Sequence, residues 1–185
     1  EQAVESAANR PELRALIITG SGNCFMAGGD INMMRQGLTE PFEFFRLHDR
    51  LTSAGNRLAR LPVPVIAAIN GHAFGGGLEL ALACDMRILS ATARVGLPEV
   101  GLGILPASGG TARLARLIGR ERALYLELSG EAIDAAEALR LGLVLRVVAP
   151  ETVVAEARAL AARLAAQAPA SVAMIKRAVT LAADM

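Results

Sequence analysis

Short apolar runs alternate with amphipathic stretches along most of this 185-residue chain. The apolar runs are rich in β-branched residues and border on Gly, Pro or Asn, which is typical of buried strands. They cover residues 14–19, 63–70, 85–90 and 143–148. Helical patterns cover residues 39–61, 78–84, 108–117, 151–166 and 170–183, with two more short helices between 117 and 143. Because helices alone follow residue 148, the pattern predicts an α/β core with a helical appendage.

The remaining segments are predicted to be irregular. Residues 25–30 form a glycine-broken loop, and residues 94–105 form an irregular strand-turn segment with a Pro-Glu pair. Residues 1–9 resemble the second half of a helix.

Composition excludes several function classes. With 53% hydrophobic residues and a net charge of +1, the chain does not have the signature of disorder. The balance of 19 basic and 18 acidic residues provides no global field for nucleic acid or an anionic membrane surface. Aromatic residues make up 3% and Trp is missing, so base-stacking platforms are not expected either. We therefore expect neither a nucleic acid nor a membrane as a partner.

The cysteines and histidines point to a reduced, metal-free protein. Cys24 and Cys84 stand in apolar surroundings without a CxxC spacing, which favours two reduced thiols in a cytosol-like compartment. His48 and His72 are too few for a zinc cluster. No apolar run is long enough for a membrane span. We expect a cytoplasmic protein without a metal site.

Residues 75–79, Gly-Gly-Gly-Leu-Glu, lie between an apolar strand and a helix. Three consecutive glycines cost folding entropy, which suggests that the backbone comes close to another group there. The N–H groups of a helix N-terminus also form an anion site, and Glu79 falls in the first turn beside them. A tight turn with a dipole-favouring acid explains the same residues equally well.

Two further acids and one serine stand at glycine-rich turns. Glu99 is an isolated acid in an apolar, glycine-spaced run, and such acids are more often exposed than buried. Asp30 follows Ala27-Gly28-Gly29, where a helix cap is the simpler explanation. Ser108 lacks the GxSxG elbow and is expected to cap the following helix.

Taken together, these sites resemble those of the crotonase family, also called the enoyl-CoA hydratase/isomerase family. The matching motifs are FMAGGDI (25–31), PVIAAINGHAFGGGLELALACDMRI (64–88), VGLPEVGLGILPASGGTARLARLIG (95–119) and SGEAIDAAEALRLGLVLRVV (129–148). The resemblance implies a crotonase-like spiral of ββα turns over residues 1–148. It also implies that residues 149–185 begin a C-terminal helical region that builds a trimer or a dimer of trimers.

The resemblance further implies an enoyl-CoA hydratase that acts on an acyl-CoA thioester without a separate cofactor. By motif position, the backbone N–H groups of Gly29 and Gly76 would form an oxyanion hole for the enolate. Glu79 would deprotonate water, and Glu99 would deliver a proton to Cα. The same motifs imply substrate-binding positions, which are Ala27, Asp30, Ile31, Asn32 and Ala107.

Departures from the family pattern keep alternatives open. Asn32 replaces a common Lys, Ala107-Ser108 replaces Gly-Ala, and the family's first strands and last helix have no counterpart, so we expect a domain short at both ends. An enoyl-CoA isomerase or another enolate-forming enzyme, and a non-catalytic acyl-CoA binder, remain alternatives to the hydratase. A serine hydrolase on a related spiral is the least favoured.

Overall fold

The computed structural model describes residues 2–30 and 41–184. Eight strands, eight α-helices and two 3₁₀ helices are found in these two ranges. The strands are β1 (Leu16–Thr19), β2 (Cys24–Met26), β3 (Val65–Ile69), β4 (His72–Phe74), β5 (Met86–Ser90), β6 (Arg94–Gly96), β7 (Ile133–Asp134) and β8 (Arg146–Val148). The α-helices are α1 (Gln2–Ala8), α2 (Pro41–Ala59), α3 (Gly76–Leu82), α4 (Gly110–Ile118), α5 (Arg120–Ser129), α6 (Ala135–Arg140), α7 (Val153–Ala165) and α8 (Pro169–Asp184). The 3₁₀ helices are Pro98–Leu102 and Pro150–Thr152.

The strands form two four-stranded sheets, and the chain passes repeatedly from one sheet to the other. One sheet has the order β1-β3-β5-β8 with all strands parallel. The second has the order β2-β4-β6-β7, in which only β7 is antiparallel to its neighbour. Since β1 is followed by β2, β3 by β4 and β5 by β6, each passage adds one strand to each sheet. This arrangement is the spiral of ββα turns expected from the motifs.

Strand β3 lies at the centre of the core, and all five of its residues are buried. Val65, Ala67 and Ile69 belong to the larger apolar cluster, which includes residues of the second sheet and of α3. Ile66 and Ala68 point the other way and pack with residues of α7. A strand covered on both faces needs an unbroken apolar run rather than an alternating one, which is what the sequence has here.

The prediction of a loop over residues 25–30 is wrong in its first part, because β2 pairs with β4. No strand was predicted over residues 72–74, where β4 lies between β2 and β6. Both strands have three residues, which is shorter than the four to eight residues that hydrophobic periodicity detects. Pairing with parallel neighbours, rather than local pattern, determines these strands.

The C-terminal helix α8 is attached to the core by a partly buried ion pair. Nζ of Lys176 lies 2.7 Å from Oδ2 of Asp85 and donates to the carbonyl oxygen of Val63 at 2.9 Å. The same Asp85 oxygen accepts the N–H of Val65 at 2.7 Å. Helix α8 is therefore fixed to the start of β3. Among the helices of the described ranges, none combines the length and apolar character that crossing a membrane requires.

Candidate active site

The glycine triplet links β4 to α3, and each glycine has its own reason to be there. Gly75 precedes the helix with φ of 53°, and a Cβ on it would lie 2.9 Å from Oε1 of Glu99. A Cβ on Gly77 would collide with the backbone carbonyl of Met26 in β2. Gly76 is the first residue of α3, where backbone N–H groups have no partner inside the helix. The close approach expected from three glycines is therefore found on both sides of Gly76.

The other glycine turn, residues 27–30, lies directly against this one. A Cβ on Gly28 would lie 3.2 Å from the carbonyl oxygen of Phe74 and 3.8 Å from the backbone nitrogen of Gly76. Gly28 has φ of 102°, a left-handed conformation that favours glycine. Because Gly29 follows it, the two residues with predicted oxyanion donors stand on adjacent turns. The structure thus brings together the two turns that the motifs single out.

Glu79 lies in the first turn of α3 and is 4% exposed. Its Oε1 accepts the backbone N–H of Gly110 at 2.8 Å. Gly110 begins α4, so the carboxyl group of Glu79 spans the gap between the two helices. Glu79 is therefore held by a hydrogen bond that a carboxylate oxygen readily accepts, and the charge of Arg113 in α4 acts on it as well.

Arg113 also fixes the loop before α4. Its guanidinium donates to the carbonyl oxygen of Ser108 at 2.9 Å and to Oδ1 of Asn56 in α2 at 2.7 Å. The hydroxyl of Thr52, also in α2, donates to the carbonyl oxygen of Ala107 at 3.2 Å. Burial lowers the pKa of Arg113, while the charge of Glu79 raises it. The loop that supplies the donor to Glu79 is thus tied to α2.

Glu99 lies in the 3₁₀ helix Pro98–Leu102 and is 6% exposed. Its Oε2 is buried and has no hydrogen-bond partner among the described residues. The pKa of Glu99 is raised to about 7, chiefly by burial. A hydrogen bond from its own backbone lowers the pKa, and the charges of Glu79 and Glu127 raise it. Glu99 is therefore suited to carry a proton near neutral pH, and its burial contradicts the simpler expectation of an exposed acid.

Glu127 in α5 is an acid near the site that the sequence analysis missed. Its Oε1 is buried without a partner among the described residues, and its pKa is raised by burial and then by the charge of Glu79. A usable signal was present in the sequence. Ala123, Leu126, Glu127 and Gly130 are spaced as i, i+3, i+4 and i+7, so Glu127 occupies a position of the buried face.

The other predicted positions have different outcomes. Ala27, Asp30 and Ala107 are exposed, and Ala107 takes part through its carbonyl oxygen. Ile31 and Asn32 lie outside the described residues, so their predicted role in substrate binding stays a prediction.

The prediction that Ser108 caps α4 is wrong. Gly109, with φ of 94°, precedes the helix, and no side chain caps it. Ser108 is buried beside it, and the hydroxyl of Thr111 instead donates to the carbonyl oxygen of Pro106. Because Gly109 provides no side-chain cap, the first helical N–H, that of Gly110, donates to the carboxyl group of Glu79 instead.

Metal ligands and thiols are the remaining groups that could carry chemistry. In the ranges that the structure describes, no three His, Cys, Asp or Glu side chains are grouped so that they could hold a metal ion. Both cysteines are free, as expected, and burial raises the pKa of Cys84 to about 12. A cavity of about 550 Å³ lies between the end of α2 and α8, and none of the three glutamates lines it. Among the described residues, Glu79 and Glu99 are the acids that are buried.

Comparison with known proteins places the chain in a family. The model of the enoyl-CoA hydratase/isomerase family matches residues 1–185, the whole chain. The chain belongs to this family. Among curated members, it is 45% identical over 173 residues to a short-chain-enoyl-CoA hydratase of Clostridium acetobutylicum, covering 92% of this chain and 65% of that protein. It is 42% identical over 180 residues to a crotonyl-CoA hydratase of Syntrophomonas wolfei, covering 96% and 68%.

Solved structures of the enoyl-CoA hydratase/isomerase family show the same fold. A crystal structure of an enoyl-CoA hydratase from Geobacillus kaustophilus superimposes with a TM-score of 0.94 at 38% identity, covering all of this chain and 70% of that one. The predicted family and the crotonase-like spiral are thus confirmed. The chain spans about two thirds of the length of these family members.

Proposed function

We propose that this chain is an enoyl-CoA hydratase, which adds water across the double bond of a 2-trans-enoyl-CoA thioester in a syn sense. One observation carries the proposal: two buried glutamates with unlike surroundings lie beside two adjacent glycine turns. Glu79 accepts a backbone hydrogen bond from Gly110, whereas Glu99 keeps an unpartnered buried oxygen and a raised pKa. A pair of carboxyl groups in unlike environments is what a reaction needs when one acts as base and the other as acid.

In the proposed reaction, Glu79 takes a proton from water while the water oxygen bonds to Cβ of the substrate. The π electrons of the double bond move to the thioester oxygen, which becomes an enolate. The N–H groups of Gly29 and Gly76 would stabilise that oxygen, and loss of one such donor typically costs about 3–4 kcal/mol. The enolate then collapses and takes the proton of Glu99 at Cα. Since only protons and water move, we propose that no cofactor is required.

The test is hydration of crotonyl-CoA, followed by loss of the absorbance of the conjugated thioester. Glu79→Gln and Glu99→Gln are each expected to lower kcat by about 10²–10⁴-fold, because general acid–base groups typically contribute that much. Glu121→Gln is the matched control, since Glu121 is an exposed acid in α5. Full activity in both active-site variants would overturn the proposal.

The same assay separates the alternatives. Shift of the double bond of a 3-enoyl-CoA without water addition would indicate an isomerase. Tight binding of the thioester without any product would indicate a non-catalytic binder, and labelling by a fluorophosphonate would indicate a serine hydrolase. The presence of both glutamates supports the hydratase, because a binder needs neither and an isomerase needs only the acid.

We also propose a homotrimer or a dimer of trimers in a bacterial cytoplasm. Helix α8 carries exposed apolar side chains, among them Met174, Ile175 and Val179, which a neighbouring copy would cover. The bacterial sources of the relatives support the location. Light scattering measures the mass directly, and a monomer at micromolar concentration would contradict the oligomer.

A further inference from the structure

Two buried carboxylate oxygens near the site lack a hydrogen-bond partner among the described residues. They are Oε2 of Glu99 and Oε1 of Glu127. Burial of an unsatisfied polar oxygen is costly, and native structures leave few such atoms without a partner. A carboxyl group that keeps its proton avoids burying a charge, so one of these groups is expected to remain neutral.

The two side chains belong to elements that pack directly on each other. Gly130 directly follows α5, and a Cβ on it would lie 3.2 Å from Cγ1 of Val100 and 3.6 Å from Cα of Pro98. Both of these residues flank Glu99 in the 3₁₀ helix. Glu127 precedes Gly130 by three residues and therefore lies on the same face of α5. The face of α5 that carries Glu127 thus rests on the turn that carries Glu99.

Burial determines which of the two acids ionises first. Glu99 is 6% exposed, whereas Glu127 is only partly buried. Desolvation disfavours the charged form more strongly in the more deeply buried group. Burial and the charge of Glu79 raise the pKa of Glu127 as well, but we expect the less buried Glu127 to ionise before Glu99. Once ionised, its negative charge opposes ionisation of Glu99.

We propose that Glu127 is a positioning residue of this site, a third carboxyl group whose negative charge beside Glu99 keeps the proton on Glu99. This inference rests on the proposed function, since Glu99 must be protonated to deliver a proton to Cα. Glu127 itself makes no contact with the reacting atoms in this scheme. It extends the neutral-pH range in which Glu99 is a competent acid.

Charged groups on the neighbouring helices α3 and α4 act on this pair directly or through Glu79. Glu79 in α3 acts on both Glu99 and Glu127. Helix α4 packs on α3 and α5 and contributes Arg113, whose charge acts on Glu79, with Arg116 beside it. Loss of Glu127 therefore removes one of two like charges that act on Glu99.

The experiment follows the titration of Glu99 without requiring turnover. In protein labelled with ¹³C at the glutamate side-chain carboxyl, the NMR signal of Glu99 is assigned by its loss in Glu99→Gln. In Glu127→Gln we expect its midpoint to fall by about one pH unit, since a like charge shifts a pKa by that order. Glu121→Gln should leave the midpoint unchanged.

Activity provides the second readout. The alkaline limb of the kcat/KM profile with crotonyl-CoA should move to lower pH by the same amount in Glu127→Gln but not in Glu121→Gln. Glu127→Asp keeps the negative charge but moves it away from Glu99, so it should shift the Glu99 midpoint by less than Glu127→Gln does. This variant replaces Glu127→Gln in the test if Glu127→Gln folds poorly. A Glu99 midpoint that is the same in Glu127→Gln and Glu121→Gln would overturn the inference. An inactive wild type whose Glu99 midpoint still responds to Glu127 would overturn the proposed function instead.

Discussion

Gly110→Ala tests whether the position of Glu79 controls catalysis. A Cβ on Gly110 would lie 2.8 Å from both Cγ and Oε1 of Glu79, and 3.1 Å from Cβ of Pro106. Contacts shorter than 3.0 Å are essentially never found for real Cβ atoms, so something must shift. Pro106 belongs to a loop that hydrogen bonds tie to α2 and α4, and the Glu79 side chain is the more easily moved of the two.

The magnitude follows from these distances. Ordinary contact begins near 3.4 Å, so the Glu79 carboxyl group must retreat by about 0.6 Å from the new methyl group. This retreat lengthens the 2.8 Å hydrogen bond from the N–H of Gly110. Because misplacement of a catalytic group by about 1 Å can cost about 10²-fold, we expect kcat to fall by about 10–100-fold. Overpacking should lower the free energy of unfolding by about 1–3 kcal/mol. Replacement of a helical glycine by alanine offsets about 0.5–1 kcal/mol of this loss.

The assay compares Gly110→Ala with Gly101→Ala. Gly101 lies in the same 3₁₀ helix as Glu99, and a Cβ there meets nothing within 4 Å. Initial rates with crotonyl-CoA and urea unfolding are measured for both variants. Gly101→Ala should retain wild-type kcat and stability. If Gly110→Ala also retains wild-type kcat, the position of the Glu79 carboxyl group does not limit the reaction and the reasoning is refuted.

Two further predictions concern stability. Glu99 has a folded pKa of about 7 and an ordinary value of 4.5, so the folded state binds the extra proton and stability falls as pH rises between these values. Glu99→Gln should therefore be more stable than wild type at about pH 8 and equally stable at about pH 4 in urea unfolding, and a gain independent of pH would contradict this. Arg87 is buried and donates to the carbonyl oxygens of Ala81, Cys84 and Leu143. Arg87→Met should lower the free energy of unfolding by about 2–4 kcal/mol, because these buried acceptors lose a charged donor. The control Arg158→Met, at an exposed position, should change the free energy of unfolding by less than about 0.5 kcal/mol. Equal effects of the two variants would show that the Arg87 donor is dispensable.

Elements with a strong local pattern could be predicted from the sequence. The unbroken apolar run of β3 and the Gly-Gly-Gly-Leu-Glu start of α3 both lie where the pattern indicated. Glu79 and Glu99 were recognised by resemblance, since each alone had a simpler explanation. Both residues are less than 7% exposed, and their catalytic roles stay a prediction.

Features that depend on distant parts of the chain could not be predicted. The hydrogen bond from Gly110 to Glu79 joins residues 31 positions apart, and the pattern of α4 alone favoured Ser108 as its cap. The spacing along α5 places Glu127 on the buried face, but only the assembled fold shows that this face packs on the 3₁₀ helix that carries Glu99. Local propensity describes what a segment prefers, but the partners of a buried polar group are set by tertiary packing.

The proposed division of roles between the two glutamates rests on where their hydrogen-bond donors lie. Helix α4 begins with a left-handed glycine instead of a capping side chain, which leaves the N–H of Gly110 available to Glu79. The 3₁₀ helix offers the Glu99 carboxyl group no donor beyond its own backbone, and its Oε2 stays unpartnered among the described residues. Burial favours the neutral form of a carboxyl group, and for Glu99 it outweighs the hydrogen bond from its own backbone. The two carboxyl groups thus have unlike surroundings, which is the difference that the proposed pairing of a base with an acid requires.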